Sequence, residues 1–262
     1  MNQTVENPIL EVHDLTVAYN RKPILWNINF TIPQGALVGV MGPNGAGKST
    51  LIKAIMELLP LSSGVIKLFG DHINNVRKKV SYVPQRTAVD WDFPATVKDV
   101  VMMGRFPNIG LLRKPRKADH DFVDLCLENV GLTEFKERQI SELSGGQQQR
   151  VFLARALAQE ADIYFMDEPF VGVDAGTEAA IIQLLKDLKN KGKTVIVVHH
   201  DLQTAPEYFD WLVLLNQRLV ASAPIKECFT QDLLAEAYGG KLTLLTQLST
   251  YLEKEGIPNR VE

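Results

Sequence analysis

Gly42-Pro43-Asn44-Gly45-Ala46-Gly47-Lys48-Ser49-Thr50 carries its glycines, lysine and hydroxyl in the order G-x-x-x-x-G-K-[ST]. Ala36 to Met41 ahead of it is apolar and of strand length. Leu51 to Leu59 behind it has apolar residues at helical spacing, and Pro60 stops it. Strand, glycine loop and helix in that order make a phosphate cradle. Glycines let the backbone turn its N–H groups inward around an anion. The helix N-terminus adds further N–H groups and partial positive charge. Lys48 is placed to reach the β- and γ-phosphates, and the Ser49 hydroxyl to bind Mg²⁺. The whole stretch, Gly42, Pro43, Asn44, Gly45, Ala46, Gly47, Lys48, Ser49 and Thr50, is therefore expected to hold nucleotide. A bare glycine turn before a lysine is the plainer reading, and the flanking strand and helix argue against it.

The rest of the composition narrows the class. The chain has 262 residues, 45% hydrophobic and 23% charged, with a formal net charge of −3. That is ordinary for a soluble globular protein and does not suggest nucleic-acid binding. Cys126 and Cys228 stand in apolar surroundings, so both are expected to be inert core residues of a cytosolic chain. The N-terminus has no signal-peptide pattern, and no apolar run approaches the length of a membrane span. If the protein works at a membrane, another chain must cross it.

Strands are expected at 9–12, 15–19, 24–32 and 36–41, giving an antiparallel layer beside the nucleotide site, and again at 64–69 and 80–85. The pattern turns helical near 95–160. One helix starts at Thr96. Another spans 118–130, with Phe122, Val123, Leu125 and Leu127 as its apolar side. The basic run Arg113-Lys114-Pro115-Arg116-Lys117 between them reads as a solvated loop, since no aromatic platform interleaves it. Strands at 163–166 and 194–198 flank a helix at 177–189, a β–α–β unit that implies parallel pairing. Asn216-Gln217 joins strands 211–215 and 218–221 as a hairpin. Residues 1–240 are expected to form one domain with a helical subdomain at about 95–160. Residues 241–262 are expected to form a helical tail.

Three further stretches carry chemistry. Ile163 to Met166 ends in Asp167-Glu168. Ligands of open α/β sheets sit at the carboxyl ends of strands, so Asp167 can hold Mg²⁺ through water and Glu168 can face an attacking water. Leu143-Ser144-Gly145-Gly146-Gln147 precedes an Ala-, Leu- and Arg-bearing helix. There Ser144 can cap, and the two glycines admit an anion close to the helix start. His199-His200-Asp201 follows the 194–198 strand.

The segment from Leu143 to Gln147, with the phosphate loop before it and Asp167-Glu168 after it, closely resembles the signature of ABC-transporter ATPase subunits. The likeness runs from about Ile9 to Val220. It implies an α/β fold of the P-loop ATPase type, with an antiparallel flanking sheet and a helical subdomain, and ATP and Mg²⁺ as ligands. It implies that Tyr19 stacks on adenine and that Gln85 touches Mg²⁺ and senses a membrane partner. It also implies that Ser144, Gly145, Gly146, Gln147 and Asp174 contact nucleotide. The loop Val171-Gly172-Val173-Asp174 stands where many members have Ser-Ala-Leu-Asp. The family histidine precedes an aspartate, which points to His200 rather than His199. Glu168, His200, Gln85 and Lys48 are thus the expected catalytic set, with Ser49, Gln85 and Asp167 at the metal.

The same resemblance implies a head-to-tail ATP-sandwich dimer of two copies, multi-span permease subunits, and an extracytoplasmic metal-binding protein. The chain would then lie on the cytoplasmic face of the membrane. The stretch from Ala88 to Arg105 is similar to the importer branch for manganese, zinc or iron, with manganese favoured. Trp91 and Phe93 are expected as exposed anchors for the permease. A soluble ABC ATPase of iron–sulfur-cluster assembly is the alternative. A DNA-acting ABC ATPase lacks room for its coiled coil between Gln85 and Leu143, and a P-loop kinase leaves Leu143–Gln147 and His200 unexplained.

Overall fold

The computed structural model describes residues 2–239 apart from 4, 21, 111 and 112. The expected tail at 241–262 lies outside the described residues. In chain order the elements begin β1 (Leu10–Tyr19), β2 (Lys22–Ile32), β3 (Leu37–Met41), α1 (Lys48–Ile55), β4 (Ser63–Leu68), α2 (Ile73–Val76) and β5 (Val80–Val83). Then come α3 (Val97–Met103), α4 (Phe106–Ile109), α5 (Lys117–Asn129), α6 (Gly145–Ala158), β6 (Ile163–Asp167), α7 (Ala175–Asn190) and β7 (Thr194–Val198). The chain continues through α8 (Ala205–Tyr208), β8 (Trp211–Asn216), β9 (Arg218–Pro224), α9 (Ile225–Cys228) and α10 (Gln231–Tyr238). The elements fall into two compact units, Met1–Asn75 with Ile196–Glu262, and Val76–Val195. The α/β class, the antiparallel flanking sheet and the helical subdomain are all present.

In the first unit β1 lies between β2 and β4, antiparallel to both, with Val12 opposite Phe30 on one side and Ile66 on the other. β1 is one strand where two were expected. Its buried residues are Leu10, Val12, Leu15 and Val17, so the alternation slips by one residue at His13-Asp14. The extra residue is absorbed as a bulge, with Asp14 at φ 50°. β3 is buried along its whole length and runs parallel to β8, which pairs antiparallel with β9 through the expected hairpin at Gln217. α1 ends at Ile55, four residues before the expected Leu59. Glu57 at φ 55° and the hydrogen bond from Leu58 N–H to the Lys53 carbonyl close it as a left-handed cap, ahead of Pro60.

In the second unit β5 pairs parallel with β6, Tyr82 opposite Phe165. α3, α5 and α6 pack together. Thr96 caps α3 with a reciprocal pair: its hydroxyl accepts from Asp99 N–H, and the Asp99 carboxylate accepts from Thr96 N–H. α5 buries Val123, Cys126 and Leu127, whereas Leu125 is 47% exposed, against the expected apolar side. A 3.6-residue period puts 123, 126 and 127 on one face and turns 125 away. Arg105, just past α3, pairs with Asp119 and Glu160, donates to the Ala158 carbonyl and lies over the Phe122 ring. Both cysteines are buried, and burial pushes the thiols up, to about 12 for Cys126 and about 11 for Cys228.

Candidate nucleotide site

In the first unit β3 delivers the chain into the phosphate loop. Gly42, Gly45 and Gly47 have φ of 152°, 81° and 96°. A Cβ on Gly42 would stand 1.9 Å from the Leu215 carbonyl oxygen, and one on Gly47 would stand 2.5 Å from a Leu25 methyl. The two invariant glycines of the pattern are therefore demanded by both backbone and neighbours. Gly45 has open space around it and needs glycine for its φ alone. Gly47 is the N-cap of α1 and supplies no side-chain cap, and the first turn holds no acidic residue. The helix start is thus shaped for an anion. Lys48 is 7% exposed, and its Nζ donates to the Gly42 and Pro43 carbonyls at 2.8 and 3.0 Å. Asn44 is exposed, Ala46 is buried, and Ser49 and Thr50 are half-buried. Loop, lysine and helix start together fit a polyphosphate.

Tyr19 closes β1 with 46% of its surface exposed, as a base-stacking ring requires. β7 ends at Val198, so neither histidine lies in the strand. The next residue still pairs: His199 N–H donates to the Val40 carbonyl. His199 is 2% exposed, and its Nε2 lies 2.8 Å from the Thr204 hydroxyl. Burial, and His200 nearby, push its pKa down to about 4, with Asp201 pulling the other way. His200 is exposed. One side chain is buried and the next exposed, as for successive strand residues.

In the second unit Gln85 Nε2 donates to Glu168 Oε2 at 2.7 Å. Glu168 follows β6 in left-handed backbone, φ 54°, a conformation most side chains avoid. Asp167 ends β6 fully buried. Burial, and the Asp167 charge, raise the Tyr82 phenol to about 12. A buried carboxylate oxygen donor fits a hard divalent cation such as Mg²⁺. Among the described residues no group of three or more His, Cys, Asp or Glu could hold a metal ion.

Ser144 caps α6 reciprocally with Gln147: Gln147 N–H donates to Ser144 Oγ, and Ser144 N–H donates to Gln147 Oε1 at 2.9 Å. A Cβ on Gly146 would stand 3.3 Å from the Gly172 carbonyl, so Gly146 runs close to the 171–173 loop. Asp174 caps α7 through the Thr177 N–H and hydroxyl, bonds that hold its carboxyl below the usual range. Arg86, which the sequence reading passed over, packs its guanidinium against Gly145 and donates to Gln148 Oε1. Its place directly after Gln85 was the only signal for it.

Trp91 is not the free anchor expected. It is half-buried, edge-on to Phe152 with centroids 5.1 Å apart, and its Nε1–H donates to the Arg86 carbonyl. A ring with an N–H settles where one face is apolar and a carbonyl is in reach. Phe93 is exposed as expected. No helix of the described residues is long and apolar enough to cross a membrane.

A sequence profile described as "ABC transporter" matches residues 25–171. The manganese transport system ATP-binding protein MntB of Bacillus subtilis is 57% identical over 90% of this chain and 94% of its own. The zinc transport system ATP-binding protein TroB of Treponema pallidum is 56% identical over 89% and 88%. Among solved structures, cbiO1 of Clostridium perfringens, part of the ABC transporter complex cbiONQ, is similar with TM-score 0.72. It is 28% identical and covers 94% of this chain and 100% of that one.

Proposed function

The chain belongs to the ABC transporter ATP-binding family, and from that premise we propose that it hydrolyses ATP to power import of a divalent metal ion. The cargo class rests on likeness to the manganese and zinc ATPases named above, together with Ala88 to Arg105. Manganese is favoured, with zinc or iron as the other members of the class. The iron–sulfur-assembly reading finds no support among those relatives.

The observation that carries the hydrolytic reading is Glu168, which stands after the buried Asp167 with its carboxylate held 2.7 Å from the Gln85 amide. In this reading the phosphates lie on the loop Gly42 to Thr50, with the Lys48 charge upon them. Tyr19 stacks on adenine. Ser49, Gln85 and Asp167 hold Mg²⁺, which when bound offsets phosphate charge. Glu168 accepts the proton of the water that attacks the γ-phosphorus as the bond to the β–γ bridging oxygen breaks, and His200 contacts the terminal phosphate. Such a base contributes about 10²–10⁴ in rate.

Ser144, Gly145, Gly146, Gln147 and Asp174 act on the nucleotide of a second copy in a head-to-tail dimer. The capping box at Ser144 and the Asp174 cap support this, because they hold two helix starts in fixed form. ATP favours the closed pair because only there do both copies touch it, and hydrolysis removes that bridge. Residues 1–240 act as one ATPase domain with a helical subdomain at about 95–160. The chain sits at the cytoplasmic membrane face, bound to a multi-span permease that an extracytoplasmic metal-binding protein supplies.

The test is ATP binding and phosphate release by two variants. Lys48→Ala is expected to lose tight ATP binding. Glu168→Gln keeps binding, loses at least a hundredfold in hydrolysis, and elutes as a dimer with ATP but not with ADP. Hydrolysis within a few-fold of the parent would remove Glu168 as the base.

A further inference from the structure

His199 has no role in the function proposed above, yet beside His200 it is held by hydrogen bonds and packed between rings. Its N–H is bonded to the carbonyl of Val40, in the strand that feeds the phosphate loop. Its ring reaches forward to the Thr204 hydroxyl at 2.8 Å, closing the turn on which His200 and Asp201 stand. The ring is boxed by Phe209 (centroids 5.4 Å, edge-on) and Tyr208 (5.9 Å). Phe209 in turn lies against β3 so closely that a Cβ on Gly39 would stand 2.8 Å from it. The His200 ring is 5.8 Å from the His199 ring, on the exposed side.

We propose that His199 is a positioning residue for hydrolysis: pinned to Val40 and Thr204, it fixes the turn that presents His200 to the terminal phosphate. A hydrogen-bonding ring buried at this joint fixes the turn from within, where an exposed side chain would leave it to drift. Its depressed pKa keeps the ring neutral at neutral pH. The inference rests on the reading of His200 as a phosphate contact. It gives a role to His199, which the sequence reading set aside in favour of His200.

The experiment measures ATP affinity, kcat and melting temperature for five variants of the full chain: Thr204→Val, His199→Leu, His199→Gln, His200→Ala and His199→Leu/His200→Ala. Thr204→Val and His199→Leu are expected to lower kcat about tenfold with ATP affinity unchanged. His199→Gln, which can still bond Thr204, recovers most of that loss. The double variant is no slower than His200→Ala alone, because His199 acts only through His200. Thr204→Val keeps the side-chain volume and decides the matter if His199→Leu fails to fold. A kcat within twofold of the parent for folded Thr204→Val and His199→Leu would overturn the proposal, as would losses that multiply in the double variant. If His200→Ala itself keeps full rate, the fault lies with the phosphate-contact reading, and the inference falls with it.

Discussion

At the scale of single residues the phosphate loop separates two reasons for glycine. Gly42 must be glycine because the Leu215 carbonyl occupies the space of a Cβ, as well as for its φ. Gly42→Ala is expected to cost about 3 kcal/mol or more, through displaced backbone between β3 and β8. Gly45→Ala meets nothing and costs only the left-handed penalty, about 1 kcal/mol. Urea midpoints of the two variants rank them. His199 has a different signature. Unfolded, it takes a proton near 6.5; folded, it stays neutral down to about 4. Between those values the unfolded chain binds more protons, so stability falls as pH drops from 6.5 to 4, by about 3 kcal/mol. His199→Gln should flatten that part of the urea-midpoint profile. The glycines were legible in the sequence because backbone geometry dictates the residue type. Which of two adjacent histidines is buried was not settled by alternation alone, since a period of two divides them without naming the inner one. The aspartate after His200 marked that residue by family likeness, and the structure leaves it exposed with His199 buried.

At the scale of elements, what the sequence shows depends on how local the cause is. The caps at Thr96 and Ser144 are local chemistry, and both were readable as helix starts. Ser144→Ala is expected to lower stability by about 1 kcal/mol, read as a shift in melting temperature. The merger of β1, the early end of α1 and the exposure of Leu125 have less local causes. The first needs a bulge, the second a left-handed Glu57 that no residue preference announces, and the third a phase set by what α5 packs on. Trp91 and Phe93 show the same limit, since two aromatics two residues apart look alike until Phe152 and the Arg86 carbonyl claim one of them. Trp91→Ala should therefore cost about 2 kcal/mol of folding stability. Phe93→Ala should leave the melting temperature unchanged. On the docking reading it weakens permease association in a pull-down.

At the scale of the whole molecule, both units were legible as element types, because glycine motifs and buried strand runs are strong signals. The residues proposed for one reaction are spread from Tyr19 to His200 across the chain. Spacing alone does not join them into one site; it is the family likeness that implies one. The same scale shows what Glu168 costs. In left-handed backbone a glycine is less strained than any side chain, so Glu168→Gly is expected to be about 1 kcal/mol more stable than Glu168→Ala. That reverses the usual rank of the two residues in strands and helices, and paired urea melts would show it. A campaign to harden this protein by heat selection alone would therefore favour glycine at 168 over every other small residue. On the reading of Glu168 as the base, the chain so selected would still grip its nucleotide and lose at least about a hundredfold in phosphate release. On that reading thermal endurance and turnover pull against each other at this single position, so selection for either must score both.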